Sequence, residues 1–187
     1  MMAKEKIHLE PILYDKMDIL FIPLNPPKKS TKNKHYFSRT EVFWKILSDH
    51  GLITKEIWKD GNYTTADDIV FHGNSRNFQH SIFGIHDLMP DKLESNSKKV
   101  KPELSPVNKI LSVVKKRKIK VVCLMHSKVY KSFKKSKDID WIPDSKYGHI
   151  GTFKKTKIFR VPFPSYRNYQ ADDPIWGYYS ELKDQLQ

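Results

Sequence analysis

Cysteine is almost absent. Cys123 stands alone in 187 residues. That excludes an internal disulfide and leaves no cysteine cluster to hold zinc or an iron–sulfur centre. Its setting, Val121-Val122-Cys123-Leu124-Met125, makes it a small core residue. No apolar run approaches the roughly 20 residues of a membrane span, and the first residues lack the apolar stretch of a secretion signal. Both absences point to a cytoplasmic protein. Internal repeats and linkers are missing too. His72, His80, His86, His126 and His149 have no zinc-ligand spacing, so surface or hydrogen-bonded roles are expected of them. Neither a metal nor a redox cofactor is expected.

Positive charge is in excess: 34 Lys+Arg against 21 Asp+Glu, a net +13. Such a surplus favours a polyanionic partner, nucleic acid first; the plainer reading is solubility. Lys115-Lys116-Arg117-Lys118 ends a helix, where cations suit the dipole. Asp67-Asp68 reads as a helix start or an exposed acidic turn, and Trp58, Trp141 and Trp176 as packing.

Length and a 39% hydrophobic content suit one folded domain over 1–187, with 1–16 as a lead-in. Asp18–Leu24 has no polar alternation, as in a central strand covered on both faces. Thr40–Gly51 places Val42, Phe43, Ile46 and Leu47 at helical spacing, with Ser38 or Thr40 as N-cap and Gly51 as C-cap. Residues 59–80 are polar and loop-rich. Ser81–Met89 predicts a short strand running into a loop. A helix starting at Pro102 or Ser105 carries Leu104, Val107, Ile110, Leu111 and Val114. Lys118–Met125 is a second buried strand, and Lys128–Phe133 a short helix. A strand pair over 147–153 and 156–162 is joined by a basic turn, and Ile175–Leu186 closes the chain as a helix. Strands alternating with helices imply an α/β fold, a three-layer sandwich with a central, mostly parallel sheet flanked by helices. Sites in such sheets gather at the carboxyl ends of the strands.

Two loops meet that rule. In the first, Asn25-Pro26-Pro27, the asparagine has no useful pKa, but its amide can hold a water where the leaving group departs first. The prolines stiffen the backbone around it; the alternative is an ordinary Asn-Pro turn. The following Lys28-Lys29-Ser30-Thr31-Lys32-Asn33-Lys34 is a basic loop that can seat phosphates or simply face solvent. His35-Tyr36-Phe37 offers an aromatic face for a base, with Phe37 expected in the core. In the second loop, Phe163-Pro164-Ser165-Tyr166-Arg167 is a stiffened turn that can push into a duplex, or a plain Pro-Ser turn.

Together these segments resemble the uracil-DNA glycosylase superfamily, and within it the mismatch-specific uracil/thymine-DNA glycosylase branch. Phe21-Ile22-Pro23-Leu24-Asn25-Pro26-Pro27, then Tyr36-Phe37-Ser38 and Phe43-Trp44, resembles that branch's first motif: strand, Gly-x-Asn-Pro-Gly, loop, aromatic, and Arg/Asn-x-Phe-Trp opening a helix. Phe83-Gly84-Ile85-His86-Asp87-Leu88 resembles its Gly-x-Thr-Asp/Lys-Leu segment, Val121–Leu124 its central strand, and Phe163-Pro164-Ser165 its Asn/His-Pro-Ser motif. The resemblance runs from about residue 17 to 187. It implies a monomeric, monofunctional DNA glycosylase of base excision repair, without a cofactor. Such an enzyme hydrolyses the N-glycosidic bond of a flipped deaminated, mismatched or modified base, a uracil-like pyrimidine first, and leaves an abasic site.

Carried over by residue, Asn25 positions the water. Leu24, Pro26, Tyr36, Ser38 and Phe163 surround the base, with Tyr36 stacked on it. Lys28, Lys29, Ser30 and Lys32 meet DNA; Pro164 and Ser165 pinch phosphates; Tyr166 or Arg167 fills the vacated stack. Three positions depart from the pattern. Pro23 and Pro27 replace glycines and remove backbone N–H donors, and Phe163 replaces a hydrogen-bonding Asn or His. The stretch GNYTTADDIVFHGNSRNFQH has no counterpart in the pattern and reads as a lesion-side insertion. The alternative is a non-catalytic nucleic-acid-binding protein on the same fold. A hydrolase of free nucleosides is a third reading, disfavoured by the charge. An enzyme bound to DNA in this way would be associated with the nucleoid.

Overall fold

The computed structural model describes residues 8–54, 57, 62–165 and 167–187. Trp58 and Tyr166 therefore lie outside the described residues. Six strands form one sheet: β1 (Lys16–Ile22), β2 (Phe83–Ile85), β3 (Lys118–Leu124), β4 (Asp140–Trp141), β5 (Gly148–Phe153) and β6 (Thr156–Arg160). Their order is β2-β1-β3-β6-β5-β4. The first four run parallel, and β5 and β4 are antiparallel additions. The class is α/β with a mostly parallel sheet. β1 starts two residues earlier than the apolar run suggests, and Leu24 lies beyond its end.

The apolar runs have no alternation because both faces are covered. Ile19, Phe21, Val121, Cys123 and Phe159 pack into one core cluster with Phe43, Trp44 and Leu47 of α2 (Val42–Asp49) and Tyr179 and Leu182 of the last helix. Leu20, Ile22, Val122, Leu124 and Ile158 pack into another with Val107, Ile110 and Val114 of a 13-residue helix (Leu104–Lys116) and with Val129 and Phe133. Helical side chains on either side of the sheet are consistent with a three-layer sandwich. Among the described residues no helix is long and apolar enough to cross a membrane.

Several local expectations need correction. The basic loop is a helix, α1 (Lys28–Asn33), which starts behind Pro27 and ends at Lys34 in the left-handed region (φ 60). The polar stretch 59–80 holds a short helix, α3 (Ala66–Val70), and two 3-10 turns. The helix after it, Leu104–Lys116, is α4, and α5 spans Ser127–Phe133. The chain closes with a 3-10 turn at 174–177 and then α6 (Tyr178–Asp184). Glu41, not Ser38 or Thr40, is the N-cap of α2, although Thr40 Oγ1 still accepts from Val42 N at 3.3 Å. Its C-cap is His50, and Gly51 (φ +71) makes the turn one residue later.

The lead-in also belongs to the sheet. Ile12 and Ile85 exchange N–H···O bonds of 2.9 and 3.0 Å and cover the free edge of β2. Gly84 makes this approach possible, since a Cβ there would lie 2.9 Å from Ile12 O and 2.3 Å from Met17 Sδ. Gly84→Ala is expected to cost about 1–3 kcal/mol by overpacking. Urea denaturation should show a lower midpoint with an unchanged slope.

Candidate functional site

The exits of four strands stand side by side at the carboxyl end of the sheet. His86 N, Leu88 N and Met89 N donate to Phe21 O, Pro23 O and Leu24 O at 2.9–3.0 Å, so the chain after β2 runs alongside the chain after β1. Met125 N donates to Ile22 O at 3.2 Å and Val161 N to Leu124 O at 3.1 Å. The Asn25, Asp87, His126 and Phe163 loops therefore share one rim.

Asn25 is half-buried between Leu24 and Pro26, which are both buried. Its Nδ2 donates to Lys92 O (2.8 Å) and Glu94 O (2.7 Å). These two short bonds, with a longer one to Pro26 O (3.4 Å), decide the amide orientation and leave Oδ1 as the acceptor. The prolines thus hold an amide that braces the loop after β2 and presents an oxygen.

Phe37 packs against the core as expected, but Tyr36 is buried there too rather than left open to a base. Tyr36 is the buried one, 5% exposed, and its hydroxyl donates to Glu10 O (3.2 Å). Phe37 is only partly buried and stacks on Phe43 at 3.9 Å between ring centroids. Phe37 sits at φ 51, an unusual backbone for an aromatic residue. In this conformation the lead-in covers the ring assigned to base stacking. Ser38 is buried and accepts from Asn33 Nδ2 (3.2 Å). Ser30 is 1% exposed, so α1 turns its hydroxyl inward and away from any phosphate. Lys28, Lys29 and Lys32 face solvent.

In the last loop Tyr179 donates to Pro162 O (2.9 Å) and fixes its start. Pro164 is buried, Ser165 half-buried and Arg167 exposed; Tyr166 lies outside the described residues. Phe163 is 38% exposed, and its ring meets that of His126 edge-on at 5.4 Å. Arg160, at the end of β6, is sandwiched between Tyr130 (4.2 Å) and Tyr147 (4.3 Å) and stiffens this side of the rim.

Two rim residues carry chemistry that the sequence did not disclose. Asp87 is 1% exposed, and its Oδ2 has no hydrogen-bond partner among the described residues. Burial pushes its carboxyl up to about 8. Burial, then Asp87, Glu10 and Asp67, hold the Tyr36 hydroxyl far above its ordinary range. At neutral pH Asp87 is therefore mainly an acid with a proton to donate. His126 Nδ1 accepts from Lys128 N at 3.0 Å, so the neutral ring carries its proton on Nε2. Burial, Lys128 and Arg160 all lower its pKa. An alternation of polar and apolar residues would flag neither group; only burial does.

The His35, Asp67 and Asp68 ligand atoms lie within 4.8 Å of one another and could hold a cation. Asp67 is already engaged, accepting from Tyr36 N (2.6 Å) and pairing with His35 Nδ1 (2.9 Å). Burial raises its pKa against those bonds. A cavity of about 730 Å³ lies beside this cluster, between the lead-in, Tyr36, Asp67, Asp68 and His72; Asn25 and Phe163 are not among its walls.

No family model and no curated protein matches the chain.

The rim thus offers an oriented acceptor at Asn25 Oδ1, a neutral acid at Asp87, a neutral N–H donor at His126 and cations on α1. That set can hold a water and stabilise a departing oxygen-bearing group without any residue forming a covalent bond.

Proposed function

We propose that the chain is a monofunctional DNA glycosylase acting in the cytoplasm on nucleoid DNA. The observation that carries this reading is Asn25, an amide tied by Nδ2 to Lys92 O and Glu94 O with Oδ1 left to accept from water. The N–C1′ bond breaks first, and its electron pair leaves with the base. The water at Asn25 then adds to C1′ and gives up a proton to solvent. The His126 ring lies beside Phe163, and its Nε2–H can donate to an oxygen of the departing base, a bond the phenyl ring cannot make. Insertion of a base beside Tyr36 requires the lead-in to move, because Glu10 O holds the tyrosine hydroxyl. That closure favours the second reading, a binding protein without chemistry.

The test is base release. Duplex and single-stranded oligonucleotides bearing uracil, hypoxanthine, thymine mismatches or modified cytosines are incubated with the protein and then treated with alkali. Strand breaks at one class of base are expected. Salt-sensitive binding with no break at any base would leave the binding protein and remove the enzyme.

A further inference from the structure

A second basic feature lies away from α1. The Lys128 ammonium donates to three backbone carbonyls, those of Ser97, Lys98 (3.2 Å) and Val100 (2.6 Å). Three donors meet three acceptors, so this lysine acts as a bolt and has no hydrogen left for a ligand. The bolt fastens segment 97–101 to α5 and shapes a cleft of about 200 Å³. Val100 and Ser132, both buried, form part of its lining, and Lys101, Lys131 and Lys135 stand exposed around it. None of the lining residues is acidic. Among the described residues these three lysines make no ion pair. Lys128 and Lys131 lie three apart on α5, and Lys135 stands in the turn just past its end.

Three exposed like charges around one groove make a positive patch that attracts a polyanion. Position indicates which one. His126, the residue that caps α5, meets Phe163 on the rim, and the cleft lies further along the same helix, at Lys128, Lys131 and Ser132. We propose that this cleft is a second phosphate track, seating the backbone of a nucleic-acid strand that passes the rim and leaves along α5. Lys101, Lys131 and Lys135 contact phosphates, and Lys128 positions them. The inference rests on the nucleic-acid part of the proposed function and not on its chemistry.

The track is read from the salt dependence of duplex binding. Every lysine–phosphate pair that is removed lowers the slope of log K against log salt by about 0.9. A combined Lys101→Gln, Lys131→Gln, Lys135→Gln variant should therefore reduce the slope by about 2–3. A control, Lys115→Gln, Lys116→Gln, Lys118→Gln, makes the same charge change at the amino end of β3 and should leave the slope intact. Lys128→Met should weaken binding more than any one of the three rim changes, together with faster amide exchange over 97–101. Equal reductions of slope in track and control variants would overturn the proposal, as would a parent that binds anionic vesicles but no oligonucleotide. Track-dependent binding by a parent that releases no base would keep the track and sink the glycosylase.

Discussion

Asn25→Ala is expected to lower single-turnover base release by about 10²–10³-fold, the usual loss when a positioned reactant or its hydrogen-bond partner is removed. Duplex binding should stay within a few-fold of the parent, because the lysines of α1 and of the α5 cleft are untouched. The same substitution also cuts the bonds to Lys92 O and Glu94 O. At about 0.5–1.5 kcal/mol each, these brace the loop, so a loss of activity alone does not separate water positioning from bracing. Asn25→Asp does separate them. A carboxylate cannot donate to the two carbonyls and repels their oxygens, so the brace fails at least as fully as in Asn25→Ala, yet it still offers an oxygen to water. If water positioning dominates, Asn25→Asp should keep more activity than Asn25→Ala, although its gain in amide exchange over residues 91–95 is at least as large. Identical rates in the two variants would make Asn25 a brace and nothing more. Unchanged rates would remove it from the chemistry altogether.

The parts of this molecule legible in its sequence are those whose cause is local. β1 and β3 announce themselves as unbroken apolar runs, and the β5–β6 pair as apolar residues either side of Lys154-Lys155. α4 shows in the spacing of Val107, Ile110, Leu111 and Val114. α1 does not show, because lysines, small polar residues and an asparagine have no apolar period. Its start depends on Pro27, and its inward face is only Ser30 and Thr31. α3 hides in a polar stretch for a similar reason: Asp67 is held by partners more than 30 residues away, His35 and Tyr36. The lead-in reads as unattached because the partner of Ile12, Ile85, is 73 positions further on.

The candidate site divides in the same way. Asn25 is conspicuous between a hydrophobic strand and two prolines. Its hydrogen bonds to Lys92 and Glu94 are not, since they join separate loops across the rim. The burial of Tyr36 depends on Glu10, 26 positions earlier, whose carbonyl takes its hydroxyl. Lys128 is one lysine among many until its three carbonyl partners are seen.

Asp87 gives the other large expected effect. Its carboxyl is pushed from an ordinary 3.8 up to about 8 by burial alone. The unfolded chain therefore releases this proton near pH 4, and the folded chain keeps it to about pH 8. Across that window the folded state binds more protons, so stability falls as pH rises. The contribution is whole below about pH 4, drains away between about 4 and 8, and is flat above. Each pH unit of separation is worth about 1.4 kcal/mol, so the drain amounts to on the order of 3–6 kcal/mol. Asp87→Asn keeps the shape and a neutral N–H donor but cannot titrate. It should exceed the parent by only about 1–2 kcal/mol at pH 5 and by several kcal/mol at pH 9, read as urea midpoints at pH 5, 7 and 9. Parallel stability curves would mean that Asp87 is solvated or paired in solution. The substitution also reports on function. If base release needs the Asp87 proton, the parent's rate falls through a limb near pH 8 that Asp87→Asn lacks. If the limb persists in the variant, the Asp87 proton takes no part in the chemistry and the departing base is met by His126 alone.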